Sequence, residues 1–107
     1  MTKITFYKKN NKIIGFEVDG HTGKDDYGKD LLCCQISTVA QMGVLGINEL
    51  LKKKSFTEIQ DGYLIIKLNE KDADDDQVQF LFKLCKSSFE SIIFDEKKYA
   101  KLEVKNV

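Results

Sequence analysis

Ile4-Thr5-Phe6-Tyr7-Lys8-Lys9-Asn10-Asn11-Lys12-Ile13-Ile14-Gly15-Phe16-Glu17-Val18-Asp19 is the stretch whose reading decides the fold of this chain. Ile4 and Phe6 alternate with Thr5 and Tyr7, the period-two pattern of a half-buried strand. Asn10-Asn11 is a tight-turn signal, and beyond it Ile14, Phe16 and Val18 alternate with Gly15, Glu17 and Asp19. The pair reads as a β-hairpin. A second hairpin is written further on, where Phe56–Gln60 and Tyr63–Leu68 flank Asp61-Gly62, the strongest short hairpin signal in the chain. Hairpins impose antiparallel pairing, so the sheet is expected to be mainly antiparallel, with helices packed on it.

The rest of the chain supplies those helices. Gly20 to Lys29 has the composition of a loop, and Gly20, Gly23 and Gly28 permit backbone angles that other residues resist. Asp30 is a good N-cap, and a helix is expected from about Leu31 to Lys53. Leu32, Ile36, Val39, Gly43, Ile47 and Leu50 fall on one face of it at helical spacing. Leu31, Cys34, Met42 and Leu45 fall on a second face that is less polar than a solvent face should be. A helix apolar on two sides is usually buried on two sides, which in so small a protein points to a second subunit. The run Asp72 to Asp76 reads as a solvated acidic loop that places carboxylates at a helix N-terminus. A second helix follows, roughly Asp76 to Phe94, with Val78, Phe82, Cys85, Phe89 and Ile92 as its buried stripe. Leu102 and Val104 suggest a last short strand. The expected fold is α+β: a two-layer, single-domain arrangement over residues 1–107, with a mainly antiparallel sheet, two packed helices and the order β-β-α-β-β-α-β.

Composition narrows the function classes. The chain has 107 residues, 42% apolar and 32% charged, and a formal net charge of zero. A domain of that length buries roughly 60–70% of its unfolded surface and folds without staples. Nothing in the charge calls for nucleic acid or an anionic membrane surface as a partner. The cluster Lys52-Lys53-Lys54 sits where a helix should end, and a cation there favours the helix dipole. No uninterrupted apolar run approaches the ~18–20 residues that span a bilayer, and the N-terminus has no signal-peptide core. Three cysteines, two of them adjacent, fit reduced thiols in a cytoplasmic protein. With no Cys-x-x-Cys and a single histidine, a zinc site is not expected. The absence of a Gly-x-x-x-x-Gly-Lys or dinucleotide fingerprint leaves nucleotide cofactors without support, so no cofactor is expected.

One place suggests chemistry. His21, the only histidine, stands twelve residues before Cys33. With Asp30 as N-cap, Cys33 is the third helical residue, near unpaired backbone N–H groups and the positive end of the dipole. Ser37 and Gln41 lie one and two turns further on the same face. A cysteine–histidine pair within reach would form a thiolate–imidazolium nucleophile. The alternative reading makes Cys33 a plain core cysteine and His21 a polar residue at a strand end. Asp30 either orients the imidazole or only caps the helix. Cys34 points roughly 100° around the helix from Cys33 and reads as packing or subunit contact, while Cys85 reads as core.

Gly20-His21, a glycine-bearing loop, then Tyr27-Gly28-Lys29-Asp30-Leu31-Leu32-Cys33 and Ser37 resemble the signature of the ribosomal-processing cysteine protease Prp family. That pattern is roughly Gly-His-Ala, a variable loop, Gly-x-Asp-Ile-Val-Cys-Ala, and a serine one turn beyond the cysteine. Here Thr22 replaces the alanine after histidine, Leu31 and Leu32 replace isoleucine and valine, and Cys34 replaces the alanine beside the cysteine. The resemblance implies a homodimeric cysteine endopeptidase of the bacterial cytoplasm. It would remove the N-terminal extension from large-subunit ribosomal protein twenty-seven, so that its partner is the N-terminal peptide of a ribosomal protein precursor. By the same implication Cys33 is the nucleophile, His21 the general base and acid, and Asp30 and Ser37 supporting residues. The loop bearing Gly20, Thr22, Gly23 and Gly28 would be a mobile cover over bound peptide. Two other classes compete with this expectation. One is a non-enzymatic dimeric binding module for ribosome assembly, with Cys33 structural, and the other is a thiol redox sensor built on Cys33-Cys34.

Overall fold

A computed structural model describes all residues, 1–107. Strand β1 (Thr2–Lys9) turns at Asn10-Asn11 into β2 (Lys12–Asp19). Both asparagines take positive φ, 51° and 68°, the left-handed pair that a two-residue hairpin loop needs. Helix α1 (Leu31–Leu45) follows the loop and continues through a π-helical turn, Gly46–Leu50. The second hairpin is β3 (Phe56–Gln60) and β4 (Tyr63–Lys67). A short helix α2 (Glu70–Ala73), the long helix α3 (Asp76–Ile93) and strand β5 (Ala100–Asn106) complete the chain.

The five strands form one sheet in the order β3-β4-β2-β1-β5. All neighbours are antiparallel except β1 and β5, which run parallel, with Ile4 opposite Leu102. One face of the sheet carries Ile4, Phe6, Phe16, Val18, Leu64 and Ile66, and α1 and α3 cover it. Phe6, Phe16, Phe82 and Phe89 meet mostly edge-to-face at 5.3 to 6.2 Å between centroids, the arrangement their quadrupoles favour. The expected α+β fold with a mainly antiparallel sheet is therefore present.

Three details differ from the sequence reading. The first helix keeps α-geometry only to Leu45, not to Lys53. From Gly46 the ladder widens, with Leu51 N–H reaching the Gly46 carbonyl at 2.9 Å and Lys53 N–H the Ile47 carbonyl at 3.0 Å. Lys52 then takes a left-handed φ of 53° and ends the helix inside the expected lysine cluster. The acidic segment is not only a loop, because Asn69 caps the short α2 through Asp72 N–H at 2.7 Å. Its last part does what was expected: the Asp75 carboxylate caps α3 through the N–H groups of Gln77 and Val78. Finally, Leu50 is exposed, and Ala40 and Val44 take the core positions of α1 beside Leu32, Ile36, Gly43 and Ile47.

The close approach of α1 to its neighbours rests on Gly43 and Gly46. A Cβ at Gly43 would lie 2.9 Å from Phe16 Cζ and 3.1 Å from Cys85 Sγ, and one at Gly46 would lie 2.4 Å from Leu81. Counting α1 and the π-helical turn together, Leu31–Leu50 is long and apolar enough by composition to cross a membrane, with mean hydropathy 1.4. It holds no long uninterrupted apolar run, because Gln35, Ser37, Thr38 and Gln41 break it. The residues that raise its hydropathy outside the core face are Leu31, Met42, Leu45 and Leu50, which are 78%, 61%, 57% and 81% exposed. Cys34 is exposed among them.

Candidate active site

Val18, Leu64 and Ile59 stand opposite one another across β2, β4 and β3, making an apolar row on the helix side of the sheet. Ile36 and Ala40 of α1 wall this row, and the helix leaves part of it open. The result is a cavity of about 590 Å³ at the start of α1. His21, Asp30, Cys33 and Ser37 all line it, as do Gly20, Gly23 and Gly28 of the loop. The structure thus brings together every site residue expected from sequence except Thr22, which lies buried behind the loop.

Asp30 explains the local folding. Its Oδ1 accepts the Cys33 N–H at 2.9 Å, the N-cap bond expected for this position. Its Oδ2 accepts the Thr22 hydroxyl, the Lys24 N–H at 3.1 Å and the Asp25 N–H at 3.3 Å. These donors hold the carboxyl below the usual range, the Thr22 hydroxyl contributing most and burial opposing. All of these bonds run to the loop and the helix and none to the imidazole. Of the two roles left open for Asp30, capping is the one it performs. The same bonds anchor the first half of the expected cover loop, and the Lys24 ammonium adds an ion pair to Glu96.

Cys33 is half-buried as the third residue of α1, and Ser37 and Gln41 follow it along the cavity wall at one-turn intervals. Cys33 N–H is committed to Asp30, so it is not a free donor for a ligand.

His21 is placed by the strand end and by the β3–β4 turn. Gly20 has φ of 93°, and a Cβ there would sit 2.6 Å from the Met1 carbonyl oxygen. Its N–H donates to the Gly62 carbonyl at 2.8 Å, and its carbonyl accepts the Thr2 hydroxyl at 2.9 Å. Beyond this pinned glycine the His21 ring leans on Gly62, where a Cβ would fall 2.8 Å from Nε2. Nε2 lies 3.7 Å from Asp61 Oδ2, and the ring meets Tyr27 at 6.0 Å between centroids with a 78° tilt. His21 and Cys33 share the cavity with no hydrogen bond between them. In the sequence Asp61-Gly62 signals only a hairpin; its proximity to His21 depends on β4 pairing with β2, which no local pattern reveals. No cluster of three His, Cys, Asp or Glu side chains is placed to hold a metal ion.

The family model described as cysteine protease Prp matches residues 1–101. No curated protein matches the chain by sequence. Among solved structures, the ribosomal processing protease Prp of Staphylococcus aureus, in complex with a covalently linked product peptide, is similar at TM-score 0.89 and 21% identity. That match covers 98% of this chain and 100% of the other. The same protease in complex with a substrate peptide is similar at TM-score 0.82 and 20% identity, with the same coverage. The SMU.848 protein of Streptococcus mutans is similar at TM-score 0.84 and 22% identity, covering 100% of this chain and 96% of that one.

Proposed function

The chain belongs to the cysteine protease Prp family, and from that premise we propose that it removes an N-terminal extension from a ribosomal protein precursor, large-subunit ribosomal protein twenty-seven. The observation that carries the proposal is the single cavity holding His21, Asp30, Cys33 and Ser37 over an apolar floor. A peptide is the ligand that fits a cavity of this kind. It offers apolar side chains for Val18, Leu64 and Ile59 and a carbonyl carbon for the thiol.

In the proposed mechanism His21 takes the Cys33 proton, and the thiolate attacks the scissile carbonyl carbon. The carbonyl oxygen becomes an oxyanion, and in this reading Ser37, which lines the cavity one turn along α1, is the side chain that donates to it. The tetrahedral adduct collapses, the imidazolium gives its proton to the leaving amine, and an acyl-enzyme remains. Water, deprotonated by His21, then releases the processed fragment and frees the thiol. The gap between His21 and Cys33 suits an enzyme without substrate, since catalytic hydrogen bonds often tighten only in the complex. The resemblance also supports a homodimer acting in the bacterial cytoplasm. The exposed face of Leu31, Cys34, Met42 and Leu45 supplies the apolar surface for the second copy.

Cleavage of a peptide spanning the extension and the first mature residues, read by mass spectrometry with Cys33→Ala as control, tests this function. A single cut at the junction, absent in the variant, is expected. No cut by folded, reduced wild-type protein overturns the substrate assignment.

A further inference from the structure

A nucleophile-activating base is commonly held by a third group, and Asp30 does not hold His21. The β3–β4 turn does. Gly62 closes a backbone bond to Gly20, the residue before His21, and its missing side chain leaves room for the imidazole. Asp61, beside it, brings a carboxylate oxygen to 3.7 Å from Nε2. That separation is too long for a hydrogen bond but suits an ion pair once the ring is protonated. We propose that Asp61 is a positioning residue for the proposed protease: its carboxylate holds the imidazolium that forms when Cys33 loses its proton, and leaves Nδ1 for the thiol.

The other ionisable groups of the cavity do not compete for this role. Asp25 and Asp30 line it from the loop, but neither comes within 4.0 Å of the imidazole, and the Asp30 oxygens already serve the loop and the helix. Tyr27 meets the ring edge-on, and Tyr63 lies beyond the turn. Cys33 and Cys34 are the thiols on the facing helix. Only Asp61 brings an opposite charge within 4.0 Å of the imidazole.

The inference rests on the Cys33–His21 reading, so its test is the chemistry of the thiol and not the cleavage of one substrate. Asp61→Asn removes the charge and keeps the turn, because Gly62 still supplies the left-handed position, with φ of 72°. Alkylation of Cys33 by iodoacetamide is followed by peptide mass spectrometry, with Cys34→Ala as the common background. Near pH 6.5 the reaction depends on the imidazole taking the proton. There Asp61→Asn is expected to react roughly 2- to 5-fold more slowly than its parent, the range for an exposed ion pair. Near pH 10 an ordinary thiol needs no base to ionise, so the two rates should converge. Equal rates near pH 6.5 overturn the role of Asp61 and leave the nucleophile assignment standing. A slowing of the same size at both pH values also overturns it, since that is a steric and not a proton-linked effect. If the parent Cys33 reacts no faster than free cysteine near pH 6.5, the Cys33–His21 reading fails and the Asp61 role goes with it.

Discussion

Asp30 is the residue with the most to lose. Replacing it with alanine removes the N-cap of α1 together with three loop bonds. Loss of the cap alone costs about 1 kcal/mol. Thermal unfolding of Asp30→Ala should show a lower Tm, and its peptide cleavage should fall further than its stability, because Cys33 is the residue whose N–H is released. The same carboxylate carries a pH signature. Its folded pKa is depressed, so its stabilisation is complete above the ordinary carboxylate value of about 4 and is lost as pH falls through the lower folded value. Wild-type Tm should therefore decline as pH falls below about 4 more steeply than that of Asp30→Asn, and parallel curves would refute the assignment. Gly62→Ala probes the other side of the cavity. It strains a left-handed position and drives a methyl to 2.8 Å from His21 Nε2. Cleavage activity should drop severalfold in a protein whose circular dichroism is unchanged.

Among the elements, α1 bears most of the packing demand. Gly43→Ala puts a methyl against Phe16 and Cys85 in a filled core, and such overpacking costs about 1–3 kcal/mol by chemical denaturation. This helix also marks where the sequence was legible and where it was not. Its start was readable because Asp30 and the residues after it carry the information locally, and both hairpins were readable for the same reason. Its π-helical end was not, and neither was the need for small residues at Gly43 and Gly46, which lies in Phe16, Cys85 and Leu81 on other elements. The position of His21 divides the same way. Its spacing from Cys33 was visible in the chain, while its contact with Asp61 exists only after β4 has paired with β2. The parallel partnership of β5 with β1 is likewise a product of the whole sheet.

For the molecule as a whole, the three thiols report on the architecture. Cys33 is half-buried and Cys34 exposed, whereas Cys85 is 3% exposed and burial pushes its pKa up to about 11. In native protein at neutral pH a disulfide reagent should reach Cys33 quickly and Cys85 only after unfolding, while Cys34, on the face proposed for the second copy, reacts quickly in the monomer and slowly in the dimer. The exposed apolar face of α1 makes a second test at this scale. At micromolar concentration the proposed dimer should run at twice the 12.3 kDa chain mass, and Leu45→Glu should run as a monomer. A wild-type protein of single chain mass would remove the second copy from the proposal. The Asp30 carboxylate also fixes the mechanics of the cover loop. Thr22, Lys24 and Asp25 are all moored to it from one side, and the helix hangs from it on the other. The part left unmoored from Asp30 is the turn from Asp26 to Lys29, closed by the Lys29 N–H on the Asp26 carbonyl at 2.9 Å, which carries Tyr27 against the histidine. The proposed cover would therefore be a flap on a fixed hinge post, and that post also caps the helix that carries Cys33. In the proposed protease a peptide would lift the tip without disturbing Cys33, whereas anything that uproots the post dismantles door and threshold together.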